Sequence, residues 1–223
     1  MGRPTPRPSS SSSSLPTLAA WTTLTVSTLL LLLTATPCEA AQDFTSNLTN
    51  WEGTWSTGTG AVVTGPGFAD PMNNNKPFRY PTNTGISYSF TNDGYFEESQ
   101  YRFLGNGSKP TCSKAVAIWQ HGRYYFHDNG SVTMDPSIFS ADGRVLVQDP
   151  CAAQTEILTY YNQPELFNGW TITIDNHHQA YMLQLIRFDG SYFPRLFLTV
   201  RPPTMLPTAD LTAATSGSTS KTT

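Results

Sequence analysis

Charge is what this sequence has least of. Asp, Glu, Lys and Arg make up 13% of its 223 residues, against about 25% in an ordinary globular domain. No Lys/Arg cluster occurs, and the net charge is −3. With no basic surface to neutralise phosphates, nucleic acid is excluded as a partner. Cysteine is scarce too: there are three, with no CxxC pair and no Cys/His group at zinc spacing. Helical periodicity is nearly missing. A Gly-x-Ser-x-Gly elbow, an HExxH helix and a phosphate-binding loop are all lacking. Nothing in the chain asks for a cofactor or a metal.

What the chain has is Tyr, Phe, Thr, Asn and Gly, with aromatics at 12%, a β-rich, extracellular type of composition. Both ends differ from the middle. Arg3 and Arg7 precede a Ser run and the apolar stretch Leu15 to Thr34, followed by Cys38-Glu39-Ala40. Basic, apolar and small-x-small segments in that order predict a secretory signal over residues 1–40, cut after Ala40. An uncleaved signal anchor is the competing reading, weakened by six Thr and one Ser inside the stretch. Residues 41–207 then form a luminal domain, and 208–223 read as a disordered Ser/Thr-rich tail.

Removing the signal removes Cys38, which leaves Cys112 and Cys151. In an oxidising lumen these most simply pair with each other, two free buried thiols being the alternative. Three acceptor sequons fit the same compartment, at Asn47, Asn106 and Asn129. The latter two are Asn-Gly turn signals as well, which places them on exposed hairpin tips.

Strand signals recur along the mature chain, each bounded by Gly, Pro, Asn or Asp. They cover 86–91, 95–103, 115–120, 123–127, 131–135, 170–175, 181–188 and 192–201, with His121-Gly122 read as a tight turn. Short connections imply antiparallel pairing. About nine strands predict an all-β domain, a single antiparallel calycin-like barrel or a sandwich. Gly53-Thr54-Trp55 opening the first strand and Arg201 closing the last tilt the choice toward a barrel. There Gly53, Trp55 and Arg201 would effect closure, with the Arg stacked on the Trp face.

Candidate chemistry is thin. Glu97 and Glu98 are neighbours on a strand, so their side chains point to opposite faces and cannot form a glycosidase pair. Asp93 with either of them could share a cleft, but a turn Asp and surface Glu residues are the simpler reading. His177-His178 fall between two strands and read as an exposed turn, and His121 as turn chemistry. Tyr124-Tyr125-Phe126, Tyr160-Tyr161 and Tyr192-Phe193 put rings on both faces of their strands. One face packs the core, and the other is free to bind apolar peptide or sugar, or is covered by a second layer.

Taken in order, these motifs resemble the fungal Rot-type proteins of the endoplasmic reticulum. The matching stretches include Gly53-Thr54-Trp55-Ser56, Thr64-Gly65-Pro66-Gly67-Phe68 with Asp70-Pro71, Ser87-Tyr88-Ser89-Phe90-Thr91, Asp93-Gly94 and Glu97-Glu98. They continue through Pro110-Thr111-Cys112, Gln120-His121-Gly122, Asp142-Gly143-Arg144, Asp149-Pro150-Cys151 and Tyr161-Asn162-Gln163. Leu183-Gln184-Leu185, Asp189-Gly190, Arg201-Pro202-Pro203 and Met205-Leu206-Pro207-Thr208 complete the series. The resemblance implies a non-enzymatic luminal chaperone, needed for normal cell-wall β-1,6-glucan. It implies as partners unfolded secretory and cell-wall client proteins and other luminal chaperones. Such proteins usually carry a C-terminal transmembrane anchor. No apolar segment precedes Thr223, so either the anchor is missing from this version of the sequence or the protein is soluble. Two other readings are a calycin-like barrel holding a lipid or glycan, and a glucan-processing enzyme with two carboxylates converging in a cleft.

Overall fold

The computed structural model describes residues 50–212; the expected signal segment, Cys38, Asn47 and the end of the expected tail lie outside them. The chain is all-β. Its strands are β1 Gly53–Ser56, β2 Gly85–Phe90, β3 Tyr95–Leu104, β4 Lys114–Phe126, β5 Val132–Asp135, β6 Arg144–Gln148, β7 Glu156–Tyr160, β8 Glu165–Asp175, β9 Ala180–Arg187 and β10 Leu196–Val200. Among the described residues the helical elements are two 3₁₀ turns, Pro110–Cys112 and Ser137–Phe139, and no helix is long and apolar enough to cross a membrane.

All pairings are antiparallel, and eight of the strands close a ring in the order β1, β2, β3, β4, β5, β8, β9, β10 and back to β1. This arrangement is consistent with a barrel. β6 and β7 branch from it, because β4 is long enough to pair twice on one side. Its first half pairs with β6 and its last residues with β5, while β3 runs along the opposite side.

That long β4 differs from the two strands expected around a His121-Gly122 turn. His121 and Gly122 lie within the strand, opposite Glu97 and Phe96. Gly122 is required there for a different reason: a Cβ would stand 2.2 Å from the Asp135 carbonyl oxygen. It marks where the end of β5 presses on β4, a close approach that imitates a turn signal in sequence.

The ring interior is filled by side chains. Trp55, Tyr88, Phe90, Phe96, Met134, Leu183, Leu185 and Leu196 are fully buried in one cluster, each contributing roughly 1.5–3 kcal/mol of burial. The hollows of 610, 500 and 230 Å³ lie instead on the outside, against residues such as Met72, Tyr192 and Pro66. A second cluster, with Val62, Phe68, Phe78, Tyr101, Trp119 and Leu146, packs the segment after β1 against the outer wall of β3, β4 and β6.

Closure is made differently from the expected stacking. Arg201 Nε donates to the Glu52 carbonyl at 2.7 Å and Nη2 to the Asn50 carbonyl at 3.2 Å. Trp55 is enclosed, with its indole N–H donated to the Trp51 carbonyl at 2.8 Å. The guanidinium therefore ties the last strand to the residues before the first through backbone oxygens, not over an indole face. Gly53, at φ 127°, lets the strands meet: a Cβ would lie 2.6 Å from Leu198 Cδ1.

Candidate functional site

Ionisable groups inside a protein need partners, and the buried ones here divide by face. Glu97 and Glu98 are fully buried, not surface residues, because both faces of β3 are covered. They do point oppositely. On the outer wall, Glu97 accepts hydrogen bonds from Gly65 N at 2.6 Å, Trp119 Nε1 at 2.8 Å and Leu206 N. Burial still pushes its carboxyl above the usual range. Asp142 accepts from His121 Nε2 at 2.9 Å, Leu211 N at 2.7 Å and both N and Oγ1 of Thr212, at 2.9 and 2.6 Å. Burial would raise this carboxyl, but those bonds, His121 first, hold it well below the carboxylate range. Two buried carboxylates thus strap the segment after β10 across the outer wall, past Pro207 and as far as Thr212.

On the inner face, Tyr88 Oη lies 3.2 Å from Glu98 Oε1 and 2.7 Å from Glu165 Oε2. Gln100 and Gln120 donate further bonds to Glu98. The tyrosine has one proton for two carboxyls, so both contacts are complete only when one carboxyl also carries a proton. Burial first, and then the Glu98 charge, push Glu165 up to about 8. Glu165 escaped the sequence reading because β8 was expected to begin at Trp170. Its signal was the alternation Glu165, Phe167 ahead of the register shift between Phe167 and Gly169. Two carboxylates converge here, but Tyr88 and Glu98 are fully buried and the glutamine amides occupy Glu98. The site offers a substrate no approach to that carboxylate.

Among the described residues there is no group of His, Cys, Asp and Glu arranged to hold a metal ion. Asp93 sits on the exposed turn between β2 and β3, away from both glutamates. His177 and His178 form an exposed turn whose amides are bonded by Asp175 at 2.9 Å.

Where β4 leaves the ring, its inner face becomes open. Register places Leu104 of β3, Val116 and Ile118 of β4, Val145 and Val147 of β6 and Ile157 of β7 on this one face. None of the six is buried; Leu104 is 53% and Ile157 42% exposed. Arg102, Lys114 and Thr159 share the face. Two of the six are exposed and four half-buried, and together they form one contiguous apolar face.

The branch is stapled at its far end. Cys112, just before β4, is disulfide-bonded to Cys151 in the β6–β7 turn, with Cα atoms 5.5 Å apart. Lys114 pairs with Asp149 at 2.8 Å beside it. Asn106 lies on the β3–β4 turn near this end and Asn129 on the β4–β5 turn. Both are exposed, and their side chains accept bonds from Ser108 and Ser131 amides at 3.0 Å.

The aromatic pairs separate as strand geometry requires. Tyr160 lies under the Arg144 guanidinium, 4.4 Å away, and Phe126 packs on Trp51 and Trp170. Phe193 is buried while Tyr192 is 71% exposed.

Comparison with known proteins decides the family. Residues 51–223 match the model of Rot1, described as a chaperone for protein-folding within the ER, fungal. The chain belongs to the Rot1 family. Protein rot1 of Neosartorya fischeri is 42% identical over 171 residues, covering 77% of this chain and 71% of that protein. Protein rot1 of Aspergillus terreus is 45% identical over 166 residues, 74% and 69% of the two chains. Protein ROT1 of Yarrowia lipolytica is 43% identical over 171 residues, 76% and 67%. The Rot1 family is one of chaperones for protein folding in the endoplasmic reticulum.

Proposed function

We propose that this protein is a non-enzymatic folding factor of the endoplasmic-reticulum lumen, which holds exposed apolar segments of secretory and cell-wall clients on the open face of β3, β4, β6 and β7. The observation carrying this is that face itself: six aliphatic residues in register, none buried, on a branch stapled by Cys112–Cys151. An apolar client segment gains about 25 cal/mol for each Å² of surface it covers there, enough for transient holding without a nucleotide cycle. Loss of normal β-1,6-glucan would follow indirectly, from cell-wall proteins that fail to fold. The signal over 1–40, a luminal domain that follows it and takes in the strap, and glycans on Asn47, Asn106 and Asn129 belong to the same reading. Other luminal chaperones would receive clients from it.

The test uses the chain produced through a eukaryotic secretory route. A reduced or heated model client is followed by light scattering with the protein in several-fold excess. Delayed aggregation is expected; unchanged aggregation at that excess overturns the reading. N-terminal sequencing of the product should begin at Ala41, and treatment with an N-glycan hydrolase should lower its mass.

A further inference from the structure

Ring closure removes sheet edges, because each strand finds a partner on either side. Here two stretches stay open among the described residues: β8 lacks a partner on its β5 side beyond Phe167, and β7 lacks one along a whole side, pairing with β6 alone. Which of its backbone groups are left over follows from the register. Asp149 N donates to Thr155 O and Tyr161 N to Gly143 O, at 2.8 and 2.9 Å. The odd-numbered residues therefore bond β6. In an antiparallel ladder the alternate residues direct N–H and C=O outward, so Glu156, Leu158 and Tyr160 present an unpaired row of donors and acceptors.

Edges of this kind are normally guarded by Pro, by Lys or by a bulge. β7 reads Glu-Ile-Leu-Thr-Tyr, with no Pro, no Lys and an uninterrupted register to β6. Its inward neighbours on the open face are Ile157, Val147 and Val116, which lie side by side across three strands. The disulfide and the Lys114–Asp149 pair hold the β6–β7 turn against β4, so the edge is presented rigidly.

We propose that β7 is a strand-addition site, and that its occupant is a single extended, alternately apolar segment of an unfolded polypeptide. Taking the client-holding reading as its basis, this assigns the mode of capture. Main-chain bonds to Glu156, Leu158 and Tyr160 supply sequence-independent affinity. Apolar side chains at alternate positions extend the row from Ile157. A second copy of this chain is the poorer occupant. Five residues of strand run only about 16 Å, a short ladder against the roughly 800 Å² per partner of a stable association. One extended segment matches that length.

The experiment titrates the full secreted chain with a short peptide of alternating Val and Thr, and with two versions N-methylated on all Val or on all Thr amides. Amide hydrogen exchange is read in parallel by NMR. Addition to the edge predicts that one methylated set weakens binding more than about tenfold while the other stays within about threefold, since only alternate amides face β7. The Thr set is the damaging one for antiparallel addition with Val on the open face. The amides of Glu156, Leu158 and Tyr160 become protected only with peptide present. Equal binding by both methylated peptides, or unprotected β7 amides at saturation, overturns strand addition and leaves capture by the open face standing. Protection of these amides without peptide, in a dimer by sedimentation, overturns it in favour of self-pairing. Failure of every peptide to bind, together with no suppression of client aggregation, overturns both readings.

Discussion

Tyr88 holds Glu165 by a 2.7 Å hydrogen bond at the mouth of the ring, where the inner face of β3 and β4 passes into the open one. Glu98 stands on the other side of the same hydroxyl. The charges of Arg102 and Arg187 pull Glu165 down against its upward shift, and Tyr161 is raised by burial and then by the two carboxyls. The Tyr88 hydroxyl itself is pushed well up, by burial first and then by Glu165 and Glu98.

The pair gives stability a dependence on pH whose sign is fixed. Glu165 is raised in the folded state to about 8, so its contribution is complete below the unfolded carboxyl value and is lost as pH rises through about 8. Glu165→Gln keeps the shape and a donor but cannot ionise. The variant should come close to the wild type near pH 5 and exceed it by up to roughly 4 kcal/mol at pH 9, one pKa unit being worth about 1.4 kcal/mol. Urea denaturation of both proteins from pH 5 to 9 reads the difference. A constant gap across that range would mean that Glu165 does not carry the shared proton.

How much of this was legible beforehand depended on the range of the interaction responsible. Local alternation announced β2 and the latter part of β8, and Asn-Gly and Asp-Gly turns bounded the hairpins near 106, 129 and 189. The outline of an antiparallel ring followed. Gly122 misled because close approach of Asp135 and a turn place the same demand on a residue. β6 and β7 were missed because Asp149-Pro150-Cys151 between them reads as loop, with few clean alternations on either side. Glu97 looked exposed because nothing local says that the chain returns more than a hundred residues later to lay Leu206 against it. Leu104, Val116, Val147 and Ile157 form a face only once three registers are known.

The strap makes a second prediction. Asp142 gathers His121, Leu211 and Thr212, and its carboxyl is held low, so its stabilisation is present at neutral pH and lost as pH falls below about 4. Asp142→Ala leaves His121 Nε2 and two strap amides without their acceptor. A loss of about 2–4 kcal/mol is expected, with hydrogen-exchange protection disappearing first at Leu211 and Thr212. Retained protection at those amides would show that apolar packing of Leu206 and Leu211 alone secures the strap.

Removing the staple should act on the branch before the ring. Cys112 and Cys151 are 39 residues apart, and a loop of that length is worth up to about 4 kcal/mol in the chain-entropy model. In the double Cys112→Ser, Cys151→Ser variant, limited proteolysis should cut first within 149–155, while near-ultraviolet signals from Trp55 and Tyr88 in the ring persist. Simultaneous loss of both would make the branch and the ring one cooperative unit.

The open face and Tyr192 provide the most direct contrast between a client site and ordinary exposed apolar surface. Ile157 is 42% exposed on the branch, and Tyr192 is 71% exposed beside β9, away from it. Neither supports the buried core, so Ile157→Lys and Tyr192→Ser should each change stability by less than about 0.5 kcal/mol. Their effects on client holding should differ. A lysine at 157 puts a charge at the outer end of the aliphatic row and adds the guard that β7 lacks, so suppression of aggregation should fall by more than about half. Tyr192→Ser should leave suppression unchanged. Because both variants keep the fold, a loss seen with Tyr192→Ser and not with Ile157→Lys would move the client surface to the β9 side. Equal losses would mean that clients are held by scattered apolar residues, with no preference for the branch.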